Sequence, residues 1–202
     1  GFSMTRLVAF GCSYTRGTAL DDVWDFEKNC SIFPQPSKYA WPQLIANELG
    51  LECINLGKGG YSNKAIWHTI INFDLKPSDI VFIHWSYLDR YHYYETNDNG
   101  ITVDHKGSTA RDKAFFKHLH SDYDMLNDMY MRINHIDSLL YGTKRYHLQI
   151  NNTPAPAWNN TEVLDVYLND YKIKYPRAND NSHPGIQAHK EFATTLLESS
   201  NY

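Results

Sequence analysis

The sequence predicts an α/β domain, a three-layer α/β/α sandwich around a mainly parallel sheet of about five strands. Two observations carry this. Short β-type runs alternate with segments whose apolar residues recur at helical intervals. The clearest of the runs, Asp79–Trp85 (DIVFIHW), is a nearly unbroken apolar stretch, as a strand covered on both faces must be.

Each element follows from its residues. Leu7–Phe10 (LVAF) is the first strand and breaks at Gly11. Residues 39–50 (YAWPQLIANELG) read as a helix closed by Gly50, and Cys53–Leu56 as a second, weaker strand. In residues 62–73 (SNKAIWHTIINF), Ser62 or Asn63 is placed to cap a helix. Asp79–Trp85 follows. Residues 93–104 (YYETNDNGITVD) interrupt the alternation, and Asn99-Gly100 signals a hairpin. We expect an excursion from the sheet over roughly residues 87–109, flanking the functional edge. Residues 109–141 carry Phe, Leu, Met and Ile at helical spacing, for one long helix or two joined ones ending at Gly142. Arg145–Ile150 (RYHLQI) is a fourth strand, and Val163–Leu168 (VLDVYL) a fifth strand or a short helix. A last helix lies in residues 183–200, with Pro184 at a natural first helical position.

At 202 residues the chain is expected to form one domain, residues 4–202, with Gly1-Phe2-Ser3 reading as an expression scar before Met4. A formal charge of -4 offers no basic field for a nucleic acid backbone. No apolar run reaches the roughly 20 residues of a membrane span, and no signal peptide is seen, so a cytoplasmic location is expected. Cys12, Cys30 and Cys53 form no paired motif, which fits a reducing compartment. The unusual feature is the aromatic content, 15 Tyr and 5 Trp. Flat rings with polar tips suit sugars and other polar ligands as well as they suit ordinary packing. The sequence carries no signal for an oligomeric state.

Ligands of open α/β sheets collect at the carboxyl ends of the strands, where Ser13 would stand just after the first strand. A serine nucleophile needs an imidazole to take its proton and a carboxylate to hold that imidazole. The stretch NDNSHPG supplies both, with Asp180 three residues before His183. The loop Asn55–Asn63 (NLGKGGYSN) brings Gly57, Gly59 and Gly60 to the same edge, where backbone N–H groups can approach an oxyanion. Its spacing fits neither a Walker loop nor a dinucleotide fingerprint.

The blocks FGCSYT, NLGKGGYS and DNSHPG, in this order over nearly the whole chain, resemble the SGNH or GDSL-type hydrolases. The resemblance implies a flavodoxin-like sheet, a Ser13–His183–Asp180 triad, an acyl-enzyme and no cofactor. It places Asn55, Gly57 and Gly60 in the second block, with the Gly60 N–H and that of Ser13 as oxyanion donors. Cys12 stands where the family has aspartate, and is read as small apolar packing. In the third block, WSYLDRY puts Leu88 where an oxyanion asparagine belongs. Asn63 and Ser86 are the side chains that could replace it. Arg90 could bind an anionic substrate group, and Trp158, in the loop NNTPAPAWNN, could form a substrate wall. His118, His120, Asp122 and Asp124 lack an open zinc motif, and no metal is expected. His189 is read as structural.

The expected activity is removal of a short acyl group, acetyl-like, from a polar small-molecule ester or an acylated glycan. The alternatives are a non-catalytic carbohydrate- or protein-binding module on the same fold, and an O-acyltransferase using the same triad.

Overall fold

The computed structural model describes residues 4–199. The expected scar at residues 1–3 and the last three residues lie outside them.

In chain order the elements are β1 (Arg6–Phe10), α1 (Ser13–Arg16), β2 (Trp24–Asp25), β3 (Cys30–Ser31), α2 (Trp41–Leu49), β4 (Glu52–Asn55), α3 (Asn63–Ile71) and β5 (Ile80–Trp85). They continue with β6 (Tyr91–Thr96), β7 (Asn99–Val103), α4 (Ala110–His118), α5 (Asp122–Leu139), β8 (Lys144–Gln149), α6 (Leu168–Lys174) and α7 (Ile186–Ser199). Four strands form the central sheet in the order β4-β1-β5-β8, every pair parallel.

Side chains alternate across β1, and each parity enters a different core. Leu7 and Ala9 pack with Trp41 and Ile45 of α2 and Phe192 and Leu196 of α7. Val8 and Phe10 pack with Ile66 and Ile70 of α3 and Met129 and Ile133 of α5. Strand β5 repeats the pattern, Phe82 to the first core and Val81, Ile83 and Trp85 to the second. Both faces of the sheet are therefore covered, which gives the α/β/α sandwich its three layers. Each buried Val, Leu, Ile, Phe or Met among these contributes about 1.5–3 kcal/mol.

Local signals mostly resolve as read. Gly50 closes α2 with a φ of 64°. Ser62 is the cap of α3, its hydroxyl accepting from Ala65 N at 3.1 Å. The long helical stretch is two helices, each started by its own cap, Thr109 accepting from Asp112 N and Ser121 from Asp124 N. The fifth run divides: Tyr167 makes a single parallel bridge to Gln149 at the sheet edge, and Leu168 already begins α6.

Two details differ. The β6–β7 hairpin turns at Asn97-Asp98, and Asn99-Gly100 lies in the returning strand, where the missing side chain leaves room for the Tyr94 ring. Pro184 is not the first helical residue; it is held extended by a bridge to Arg177, and α7 starts at Ile186. Among the described residues no helix is long and apolar enough to cross a membrane.

Candidate active site

The carboxyl ends of β1, β4 and β5 and the loop before α7 meet at one edge. Ser13 is the first residue of α1, two positions beyond Gly11, and is buried. One side-chain amide and one backbone bond fix this turn. Asn55, at the end of β4, donates through Nδ2 to Thr15 O at 2.8 Å and accepts from Gly57 N at 3.0 Å. Lys58 N donates to Gly11 O at 3.1 Å. Gly57 is required by this approach, since a Cβ there would meet Arg16 N at 2.6 Å and Cys12 O at 2.9 Å. Gly60 follows with a φ of 76°, which presents its backbone in a conformation other residues avoid.

The last loop arrives on the same spot. Asn179 donates to Ala19 O from both its backbone N and its Nδ2, and Ala178 N donates to His183 O at 2.9 Å. Asn181 takes a left-handed φ of 56° in the turn between them. The result is His183 Nε2 at 3.0 Å from Ser13 Oγ and His183 Nδ1 at 2.5 Å from Asp180 Oδ2. Asp180 Oδ1 accepts from Ser182 N and His183 N. Burial pushes the Asp180 carboxyl up, but the backbone N–H groups of His183 and Ser182 and the imidazole outweigh it and hold it below the ordinary carboxylate range.

The side chains expected to complete an oxyanion site, Asn63 and Ser86, are both engaged at the end of β5. Asn63 turns its amide onto the Ser86 backbone: Ser86 N donates to Asn63 Oδ1 at 2.6 Å, and Asn63 Nδ2 donates to Ser86 O at 3.2 Å. Asn63 thus fixes the end of β5, a pinning made possible because α3 begins against that strand, and its Nδ2 keeps one further N–H beyond the bond to Ser86 O. Ser86 Oγ accepts from Arg90 Nη1 at 2.9 Å. Arg90 is held over the Tyr87 ring, 5.1 Å from its centroid, and is no free loop side chain. Leu88 packs into the α3/α5 core. Trp158 is half exposed and lies against α5, its indole N–H donating to Asn127 Oδ1 at 3.0 Å.

Several neighbours escaped the sequence reading. Tyr14 sets its ring edge-on to His183, centroids 5.8 Å apart, and its hydroxyl accepts from Lys172 Nζ at 2.6 Å and Tyr87 Oη at 3.0 Å. Behind Ser13, Thr15 Oγ1 lies 3.0 Å from Nδ1 of His84, whose complete burial drives the imidazole down to about 3. No spacing announces partners 69 to 158 residues apart. Cys12 is buried in the α2/α7 core, and His189, also pushed to about 3 by burial, accepts from Trp41 N. His120 pairs with Asp122 at 3.3 Å, and no group of three ligating side chains suited to a metal ion occurs among the described residues.

No protein-family model matches this chain, and no curated protein does. Solved structures do share its fold. An acetyl-xylooligosaccharide esterase from Geobacillus aligns with a TM-score of 0.53 at 14% identity, over 96% of this chain and 93% of its own. LAE5, an alpha/beta hydrolase enzyme from the metagenome of Lake Arreo, gives 0.52 at 15%, over 96% and 94%. A member of the lipolytic G-D-S-L family from Veillonella parvula gives 0.50 at 14%, over 96% and 97%. At such identities the likeness establishes the fold, which is that of the SGNH-type hydrolases.

Proposed function

We propose that this chain is a serine-dependent ester hydrolase. The observation that carries the reading is the Ser13–His183–Asp180 arrangement, with 3.0 Å from hydroxyl to imidazole and the second imidazole nitrogen on a carboxylate. With Asp180 ionised, His183 carries its proton on Nδ1 and leaves Nε2 free to accept from Ser13. Ser13 Oγ attacks the ester carbonyl carbon as its proton passes to Nε2. The carbonyl oxygen becomes an oxyanion facing the backbone N–H groups of Ser13 and Gly60, neither of which has a partner among the described residues. Nε2 then protonates the departing alcohol, and water, deprotonated by the same nitrogen, releases the acid from Ser13.

A short acyl group on a polar or carbohydrate alcohol is the preferred substrate. Structural neighbours that include an esterase of acetylated xylo-oligosaccharides support this, as does the aromatic content of the chain. The binding-module alternative draws its support from Leu88, which places an apolar side chain where an amide donor was expected.

The test is intact-mass labelling with a serine-directed fluorophosphonate. One adduct on the native sequence, absent from Ser13→Ala, is expected. A folded protein that takes up no adduct would overturn the hydrolase reading and direct attention to glycan binding.

A further inference from the structure

The oxyanion site proposed above takes two donors from the backbone of Ser13 and Gly60, and the end of β5 holds a side-chain arrangement suited to supply a third. In the sheet Phe10 pairs with Ile83, so Ser13 and Ser86 each lie three residues beyond a paired position on adjacent parallel strands. Ser86 is buried and its main chain is clamped from both sides by Asn63. Its hydroxyl accepts from Arg90 Nη1 at 2.9 Å, which leaves the Ser86 O–H free to donate elsewhere. The same Nη1 reaches Tyr61 O, one residue past Gly60, at 3.4 Å. A guanidinium therefore sits in the corner between the Gly60 turn and the end of β5.

Arg90 forms no ion pair among the described residues, and its Nη2 and Nε have no hydrogen-bond partner there. The Tyr87 ring fixes its plane, and Tyr87 also hydrogen-bonds to Tyr14, the residue after Ser13. The field of this corner is felt nearby: His92 is held at about 4 by burial and by Lys58, Arg90 and Lys64.

Resting on the hydrolase reading above, we propose that Arg90 is the electrostatic positioning residue of the oxyanion site, orienting and polarising the Ser86 hydroxyl as its side-chain donor. Ser86 O–H donates to the oxyanion while its oxygen accepts from Arg90, so developing negative charge on the substrate is met through one hydroxyl by a fixed cation. No bond forms or breaks in this pair. Its contribution exists only once the carbonyl oxygen is charged, and it acts on kcat rather than on substrate affinity.

The test is steady-state hydrolysis of neutral 4-nitrophenyl acetate by the native sequence, Ser13→Ala, Arg90→Gln, Arg90→Lys, Ser86→Ala and the Ser86→Ala/Arg90→Gln double variant. Arg90→Gln should lower kcat about 10²–10³-fold with KM within about threefold. Arg90→Lys should recover part of that loss, because it keeps the charge. Ser86→Ala should match Arg90→Gln, and the double variant should be little worse than either. An Arg90→Gln effect confined to KM, an unchanged kcat, or a lysine variant no better than glutamine overturns the proposal. If Arg90→Gln fails to fold, a Ser86→Ala variant with native kcat overturns it instead. Activity lost in Ser13→Ala but intact in Arg90→Gln sinks Arg90 alone; no activity and no Ser13 adduct in the native sequence sinks the hydrolase reading with it.

Discussion

The ends of β1 and β5 are adjacent in the sheet and solve the same problem by different means. After β1 the chain turns at once into α1, and Ser13 is set mainly by backbone: a glycine, a four-residue helix and the Lys58 N–H, with one side-chain amide, Asn55, added. After β5 there is no helix. Ser86 is set by side chains, with Asn63 on its main chain and Arg90 on its hydroxyl. A junction held by backbone geometry demands small residues at fixed places and leaves a short motif. One held by long side chains leaves little trace, because the partners fold in from 23 residues before and four residues after.

Substitutions at the two junctions should separate these modes. The largest effect is expected at Asp180: Asp180→Asn leaves the loop in place but removes the group that fixes the imidazole tautomer, and kcat should fall about 10⁴-fold. A titration of ester hydrolysis at saturating substrate checks it, and a loss below tenfold would mean that His183 is held in place by its other contacts.

Gly57→Ala forces a Cβ against the backbone of Arg16 and Cys12, atoms that cannot swing away. Stability should drop by about 1–3 kcal/mol, read as a shift in the urea midpoint. At the β5 junction, Asn63→Ala leaves the buried Ser86 N–H and C=O without partners and should cost about 1–3 kcal/mol, with kcat falling alongside because Ser86 loosens. If Asn63→Ala abolished activity without touching stability, Asn63 would be acting on the substrate and not on Ser86.

Acid should strain both junctions together. His84, behind the Ser13 turn, and His189, against α2, are held near 3 by burial, and His92 and His147 near 4, mainly by burial. All four are neutral when folded but take up protons when unfolded below about pH 6.5. Stability is therefore fully present above that pH and decreases as pH falls toward the folded values, by up to about 1.4 kcal/mol per unit for each imidazole. Denaturation midpoints at pH 7 and pH 5 should differ accordingly; equal midpoints would contradict the burial of these rings. The smallest effect is expected at Trp158, where Trp158→Ala should change KM by no more than about twofold, since the indole rests on α5. A tenfold rise would restore it as a substrate wall.

Most of the fold was legible because its signals are local. Leu7–Phe10 reads as a strand from its apolar run, Ser62 or Asn63 as a cap from its place before a helical period (the structure selects Ser62), and Gly50 as a stop. Pro184 misled because proline is equally at home in an extended bridge, and only the contact with Arg177 selects that state. Asn99-Gly100 misled because the glycine serves the Tyr94 ring, a cross-strand demand that a turn motif cannot distinguish from its own.

By itself, then, the sequence indicated a sheet covered on both faces and the strand that ends just before Ser13, and it marked Asp180 and His183 as candidates through a three-residue spacing in a polar turn. Tertiary structure alone decided what surrounds them. Tyr14, Lys172, His84, Asn63 and Arg90 meet at this edge only after parallel strands and their crossovers are assembled, because a side chain's partner across a sheet is fixed by register and burial and not by distance along the chain.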